Sequence, residues 1–384
     1  MLRSPKSGRA GGMAGPAVAA LFLMAGLADC GSSGSQPAYR VTHVPGYVSS
    51  VSCGRDGSCL ALAPSAVSLR QRTSGLSLRT GGSVEASFRA VSCLAPRHCA
   101  AVGAAAGDPV IGVLNGRHWK THPPANGAVR FIGISCRRRK ACMVTGFLAR
   151  RAQAAQPYLA WWRGGHLHRL HVPAPDGAAS TWLESASCTP LQCMAVGWFF
   201  DRRNLYHPLA VTVSHRRVVE YQPPVPANAP APQLHSVSCV SSGECWAVGD
   251  YGPGVGTGAG FLIERWMSGS WTLVPGPRLA AHPHIPELWS VSCRTGHACV
   301  ASGDVELGSV PEGEYQAGIA LRWDGVRWRL VAAVGSLSES AALVTVSCPR
   351  SQACAVGGYS NDGTGRTPLL GLIHDDRLRL LLGP

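Results

Sequence analysis

Lysine is almost missing from this chain. Lys6, Lys120 and Lys140 are the only three in 384 residues, so 32 of its 35 Lys and Arg residues are arginine. The formal charge of +14 thus rests on an arginine-rich, lysine-poor usage of the kind a GC-rich genome produces. The arginines are scattered, whereas nucleic-acid binders concentrate charge on one face or stripe. The one basic run, Arg137-Arg138-Arg139-Lys140, lies between two cysteines and reads as a solvated turn. Nucleic acid is therefore excluded as a partner. Charged residues make up only 15% against 46% hydrophobic, which excludes global disorder and provides for a sizeable core. Long apolar runs of 3.6 period are also missing beyond the leader, which excludes helical repeats.

The leader is the exception. Arg3, Lys6 and Arg9 precede an apolar stretch from Met13 to Ala28, which at 16 residues is short for a membrane span and suits a signal peptide. Leu27-Ala28-Asp29-Cys30 follows, then Gly-Ser-Ser-Gly-Ser. This resembles the bacterial lipoprotein signal, in which cleavage precedes a cysteine that becomes lipid-modified. Asp29 departs from that pattern, where Gly, Ala or Ser is usual. Lipidation of Cys30 and ordinary cleavage after Ala28 are the two routes, and the cysteine count favours the first.

Fifteen cysteines are present. Without Cys30 they form seven local pairs: Cys53/Cys59, Cys93/Cys99, Cys136/Cys142, Cys188/Cys193, Cys239/Cys245, Cys293/Cys299 and Cys348/Cys354. An odd cysteine in an exported protein needs a reason, and Cys30 is the one outside the pattern. Structural zinc needs four ligands converging from pairs more closely spaced than these. Isolated pairs in an oxidising compartment read as disulfides. Each closes a short loop, worth about 2–2.5 kcal/mol in the chain-entropy model. Their expected role is to lock the turn between the first and second strands of a unit.

Around each pair the sequence recurs. Ser50-Val51-Ser52-Cys53, Ser236-Val237-Ser238-Cys239 and Ser290-Val291-Ser292-Cys293 are examples of a strand ending on the first cysteine. Cys193-Met194-Ala195-Val196-Gly197 and Cys245-Trp246-Ala247-Val248-Gly249 begin another. A third and fourth follow around a tight turn, as in Phe261–Trp266, Ser268–Ser270 and Trp271–Val274. The spacing of about 40–55 residues brackets a four-stranded propeller blade. Small Ser-Val-Ser residues suit strands crowded around an axis, the glycine suits a bulge or close backbone approach, and the tryptophans suit packing between blades.

This pattern resembles exported bacterial seven-bladed β-propellers of the kelch or quinoprotein type. The resemblance implies an all-β ring of four-stranded antiparallel blades with one disulfide in each. The expected layout is a signal peptide at 1–29, a tether and possible extra strand at 30–44, and the propeller at 45–384. Blades are expected near 45–85, 86–125, 126–175, 176–227, 228–278, 279–334 and 335–384. Tyr39–Val44 reads as a strand able to join the last blade, which also has Arg377–Leu382.

Function has to sit on the rim opposite the disulfide turns, where loops vary in length. The candidate segments are Phe147–Pro157, Trp198–His207, Asp250–Ala259, Asp304–Tyr315 and Tyr359–Arg366. Candidate binding residues are Trp198, Phe199, Phe200, Arg202, Arg203, Tyr206, Tyr251, Tyr315 and Tyr359. The aromatic and cationic run around Trp198 suits stacking a sugar or gripping a peptide. Asp304, Glu306, Glu312 and Glu314 form an acidic segment without calcium-loop spacing. His166/His168 and His282/His284 lack a third ligand. No catalytic or metal constellation and no cofactor site is expected. The reading is a lipid-anchored or secreted binding scaffold, monomeric, with a protein or glycan partner at the cell envelope and membrane contact only through the lipid. The alternative is a glycan hydrolase, which needs paired carboxylates. Acids are sparse, and the Ser-x-Asp-x-Gly-x-Thr-Trp box of sialidase propellers is absent.

Overall fold

Short alternating runs punctuated by glycine turns pair with their sequence neighbours, because two-residue periodicity gives each strand one apolar face per neighbouring sheet. The computed structural model describes residues 46–382, apart from 55, 64–66, 73–74, 81–85, 96–97, 116–117, 124–127, 139–140, 150–153, 215–216, 253–257, 280–284, 311–312, 337–338 and 350–352. The leader, Cys30 and the Tyr39–Val44 segment lie outside the described residues. The strands form seven four-stranded antiparallel sheets, each in chain order. Sheet 1 runs Ser50–Thr80, sheet 2 Ser87–His122, sheet 3 Val129–Leu170, sheet 4 Ala178–Tyr221, sheet 5 Gln233–Leu273, sheet 6 Ile285–Val334 and sheet 7 Ser340–Leu382.

All seven cysteine pairs are disulfides, each bridging the hairpin of strands one and two. They lock the turn between those strands, as expected, and the two halves of each bridge differ in burial. The first cysteines are half-buried. The second ones, Cys59, Cys99, Cys142, Cys193, Cys245, Cys299 and Cys354, are buried. Each of these seven belongs to a different apolar cluster: Cys59 packs with Val51 and Leu370, Cys99 with Leu62 and Phe88, Cys142 with Val144 and Trp162, and Cys299 with Leu288 and Trp323. Cys193, Cys245 and Cys354 do the same in the remaining three. The reason is strand alternation: the second cysteine shares a face with the residues two and four positions on, and that face looks into the core. Cys59, Cys99, Cys142 and Cys299 are thus core residues as well as staples, and they present no surface to a ligand.

The first strand of each sheet lies innermost and leaves one edge without a strand partner, so its N–H groups need another acceptor. The serine before each first cysteine supplies it. Ser52 Oγ accepts from Cys93 N, Ser92 from Cys136, Ser135 from Cys188, Ser187 from Cys239, Ser238 from Cys293, and Ser292 from Cys348, all at 2.9–3.0 Å. Ser347 Oγ accepts from Cys53 N at 2.9 Å, which joins the last sheet to the first and closes the ring. A second tier repeats this two residues earlier: Ser50, Ser185, Ser236, Ser290 and Thr345 each accept from the next sheet at 3.0–3.4 Å. Ala90 and Gly133 hold the same position in sheets 2 and 3 and have no hydroxyl to offer. The Ser-Val-Ser motif therefore serves hydrogen bonding, where the sequence suggested only small size. Ser238→Ala is expected to cost about 1–3 kcal/mol, because it strands a part-buried N–H. Urea unfolding against the exposed control Ser270→Ala would measure it, and equal stabilities would refute the role.

The units are similar but not identical. In six sheets the first strand carries a bulge facing a glycine four residues after the second cysteine. A Cβ on Gly103, Gly146, Gly197, Gly249, Gly303 or Gly358 would lie 1.8–2.1 Å from a carbonyl oxygen of the first strand. In sheet 7 the glycine so placed is Gly358, one residue beyond the Ala-Val-Gly357 run. Sheet 1 has Ala63 there, and its strands pair without a bulge. Glycine and bulge come together because the extra residue pushes the carbonyl into the space a side chain would occupy.

The core consists of layers between adjacent sheets. Trp162 packs between sheets 2 and 3, Trp161 between 3 and 4, Trp266 and Trp271 between 4 and 5, and Trp246, Trp323 and Trp328 between 5 and 6. These seven tryptophans are thus inter-sheet packing, as the repeat suggested. The leader side of sheet 1 is laced onto sheet 7: Gly46 N donates to Arg366 O and Val48 N to Gly358 O. Sheet 7 also has its own fourth strand, Arg377–Leu382.

Candidate functional site: the rim opposite the disulfides

In sheet 4, Cys188 faces Cys193 at one end of the first hairpin and Ala178 faces Asp201 at the other. The first end lies on the disulfide rim, the second on the open rim. Segments expected there as loops are largely strand. Trp198–His207 is the end of strand Cys193–Asp201 and the start of strand Tyr206–Ser214, with only 202–205 as a turn. Asp304–Tyr315 is spanned by strands Ala298–Val310 and Gly313–Trp323, and Tyr359–Arg366 by Cys354–Asn361 and Arg366–His374. Length variation is taken up by extending hairpins, since alternating residues can continue the ladder beyond the sheet body.

The sheet 4 extension gathers aromatic rings. Trp182 stacks on Trp198 across the strand pair with ring centroids 4.2 Å apart, and Trp198 stacks on Tyr206 at 5.3 Å. Phe200 joins Trp182 at 5.4 Å and Tyr206 at 6.0 Å, and Phe147 of sheet 3 meets Trp182 edge-on at 6.1 Å. All five rings are half-buried. Phe199 points the other way, as strand alternation requires, and is buried between sheets 3 and 4, which removes it from the binding set. Its ring carries His207, stacked at 4.8 Å. Asp201 fixes the turn: Oδ1 accepts from Arg203 N and Leu205 N, and Oδ2 lies 3.4 Å from His207 Nε2. These bonds, the one to Leu205 N foremost, hold its carboxyl below the usual range. Arg202 and Arg203 are exposed at the tip. Beside it is a shallow depression bordered by Asp176, Phe199, His207, Gln222 and the two arginines.

The other candidates lie apart. Tyr251 lies over Gly260 at the edge of the sheet 4–sheet 5 core. Tyr359 Oη donates to Gln316 Oε1 at 3.3 Å, and the Arg366 guanidinium stands 4.2 Å above its ring. The side chain of Tyr315 lies outside the described residues, as do His282, His284 and Glu312. Among the described residues no cluster of histidine, cysteine and carboxylates can hold a metal ion.

A second group escaped the sequence reading. The bulge aims its extra residue out of the ladder, and those residues are Arg89, Ile132, Glu184, His235 and Trp289 in sheets 2 to 6. His235 and Trp289 have ring centroids 4.8 Å apart. His235 Nε2 lies 2.8 Å from Asp250 Oδ1, and Trp289 Nε1 donates to Asp304 Oδ1 at 2.6 Å. Burial lowers the His235 pKa, but the Asp250 bond and charge, with Glu184 and Glu287, outweigh it and raise the pKa overall. Burial, then the charges of Asp304 and Asp250, pushes Glu287 up to about 7. Burial likewise raises Asp304 to about 6 against the opposing Trp289 bond, with Asp250 and Glu306 adding to the rise. Asp304 thus belongs to a buried network, where the sequence placed it in an acidic rim loop. The signal was present in the sequence: four residues before each first cysteine stand Ser49, Arg89, Ile132, Glu184, His235, Trp289 and Val344, one variable column inside a constant motif.

No family model matches the chain, and no curated protein matches it in sequence. The likeness to kelch and quinoprotein families is therefore withdrawn. Solved structures share its shape. The RRP9 WD40 repeats match with a TM-score of 0.54 at 8% identity, over 88% of this chain and 96% of that one. YCF48 from Cyanidioschyzon merolae matches at 0.51 and 11%, over 88% and 98%. The GH74 xyloglucanase from Xanthomonas campestris matches at 0.55 and 13%, over 88% of this chain and 53% of that enzyme. Identities this low speak for the β-propeller fold alone, a scaffold consistent with protein interaction or ligand binding.

Proposed function

We propose that this protein is an exported binding scaffold that works from the open rim, anchored through Cys30 or released. One observation carries the reading: half-buried rings and charged side chains concentrate on rigid strand ends at that rim, while the other rim carries the disulfide-locked turns. Rigid strand ends hold contact residues in place at little entropic cost on binding. Photo-crosslinkers at Arg203 and at Tyr359, with one at Leu191 beside a disulfide as control, test it in intact cells. Adducts from the first two but not from Leu191 are expected. Adducts only from Leu191 would reverse the assignment of faces.

Glycan hydrolysis is the second reading, favoured by one feature. Glu287, with a pKa near 7, sits beside the Asp304 carboxyl, so one acid is half-protonated near neutral pH. Turnover of a glycan panel that is lost in Glu287→Gln would replace binding with catalysis.

A further inference from the structure

The tip of the sheet 4 extension carries two arginines with no partner among the described residues. Two acids are near, and neither is paired with them: Asp201 Oδ1 accepts from the backbone of Arg203 and Leu205 while its Oδ2 faces His207, and Asp176, on the same depression, forms no ion pair with either arginine among the described residues. The turn is therefore fixed while both guanidiniums remain free. Phe200 and Tyr206, the ring pair nearest the tip, continue into Trp198 and Trp182. Six indole N–H groups elsewhere are buried without partners (Trp161, Trp162, Trp246, Trp271, Trp323 and Trp328), and those of Trp182 and Trp198 are not among them. A ring platform bordered by free guanidiniums matches a ligand with a flat apolar face and an anionic edge. Rings stack on the first, and arginine takes a carboxylate in two parallel hydrogen bonds.

We infer that this platform binds an acidic polysaccharide, with a uronic acid ring packed against Phe200 and Tyr206, the rings nearest the tip, and its carboxylate held by Arg202 or Arg203, while Trp198, stacked between Trp182 and Tyr206, holds the platform in place. The inference rests on the binding role proposed for this rim and names its ligand class. Single-stranded nucleic acid also stacks on rings beside arginines. The seven disulfides favour the saccharide, because structural disulfides belong to oxidising compartments outside the cytosol.

The test is titration calorimetry of the full chain with hexagalacturonate, maltohexaose and a thymidylate oligomer. Hexagalacturonate is expected to bind most tightly and to weaken in salt. The double variant Arg202→Ala/Arg203→Ala, confined to an exposed tip, is expected to lose about tenfold or more in affinity. Tyr206→Leu is expected to lose affinity for all saccharides. Equal binding of acidic and neutral sugars, preference for thymidylate, or an arginine variant that binds as well as the parent would each overturn the inference. If no saccharide binds while crosslinking at Arg203 still captures a protein, the ligand class fails and the rim assignment stands. If crosslinking also fails, both fall.

Discussion

Replacing Glu264 with leucine should make the protein more stable at neutral pH, a reversal of what most core substitutions do. Glu264 is fully buried in the third strand of sheet 5, Gly260–Met267. Its strand neighbours Leu262 and Trp266 pack with Met194, Val196 and Ala210 of sheet 4. Neither carboxyl oxygen has a hydrogen-bond partner. Burial alone raises its pKa to about 9 from 4.5, so the folded protein keeps the acid neutral. The unfolded chain releases that proton above pH 4.5, so the folded state then holds more protons than the unfolded state. Stability falls as pH rises across that window, by up to about 1.4 kcal/mol per pH unit for this group. Glu287 and Asp304 act in the same direction, but only until pH passes their folded values of about 7 and 6. Between pH 7 and 9 Glu264 carries the slope together with His235, whose raised pKa keeps a proton on the folded state that the unfolded chain gives up above pH 6.5. Urea unfolding at pH 5, 7 and 8.5 should show a growing advantage for Glu264→Leu, reaching several kcal/mol. Glu264→Gln should remove its share of the slope while keeping an unpaired buried amide. A leucine variant less stable than the parent at pH 8.5 would mean that Glu264 has a partner after all.

The opposite result is expected at Gly303. An alanine Cβ would lie 1.8 Å from Glu287 O and 2.9 Å from Leu288 Cα, both backbone atoms of the innermost strand. Nothing flexible is there to yield, so the two strands must part or the bulge must close. Either change costs several kcal/mol, above the usual range for a single added methyl. It also moves Trp289, whose indole N–H holds Asp304. Gly243→Ala is the control, since its nearest neighbours are hydroxyls at 3.8 and 4.0 Å. Thermal unfolding should show a marked loss for Gly303→Ala and little for Gly243→Ala. Tryptophan fluorescence of folded Gly303→Ala, measured below its transition, reports on the rim. A fully stable Gly303→Ala would mean that the bulge is not required.

Much of the architecture was legible because it repeats. The Val-Ser-Cys strand, the cysteine spacing and the glycine turns recur often enough that one unit explains the others. What one unit cannot show is the relation between units. Each Ser-Cys hydrogen bond joins residues about 40–56 apart, or 294 at the closure, so the serines looked merely small. The burial of Cys59, Cys99, Cys142 and Cys299 was hidden for the same reason, since a cysteine pair six apart announces its bridge but not the neighbouring sheet that covers it. The Trp198 segment was recognised by its aromatic density. Its rings were grouped as one set, whereas Phe199 and Trp198 fall on opposite faces because the segment is strand. The His235–Asp250 and Trp289–Asp304 pairs each join residues 15 apart across a bulged hairpin. Strict period-two counting places the bulge residue on the wrong face.

By itself, then, the sequence determined the all-β class, the four-strand unit and the pairing of fourteen cysteines, all of which depend on contacts within about fifty residues. The tertiary structure alone decided how the ring closes, which rings share a platform, and which carboxyls are forced to stay protonated. Those outcomes depend on burial and on neighbours from other sheets, and no local pattern encodes the company a side chain will keep across the ring.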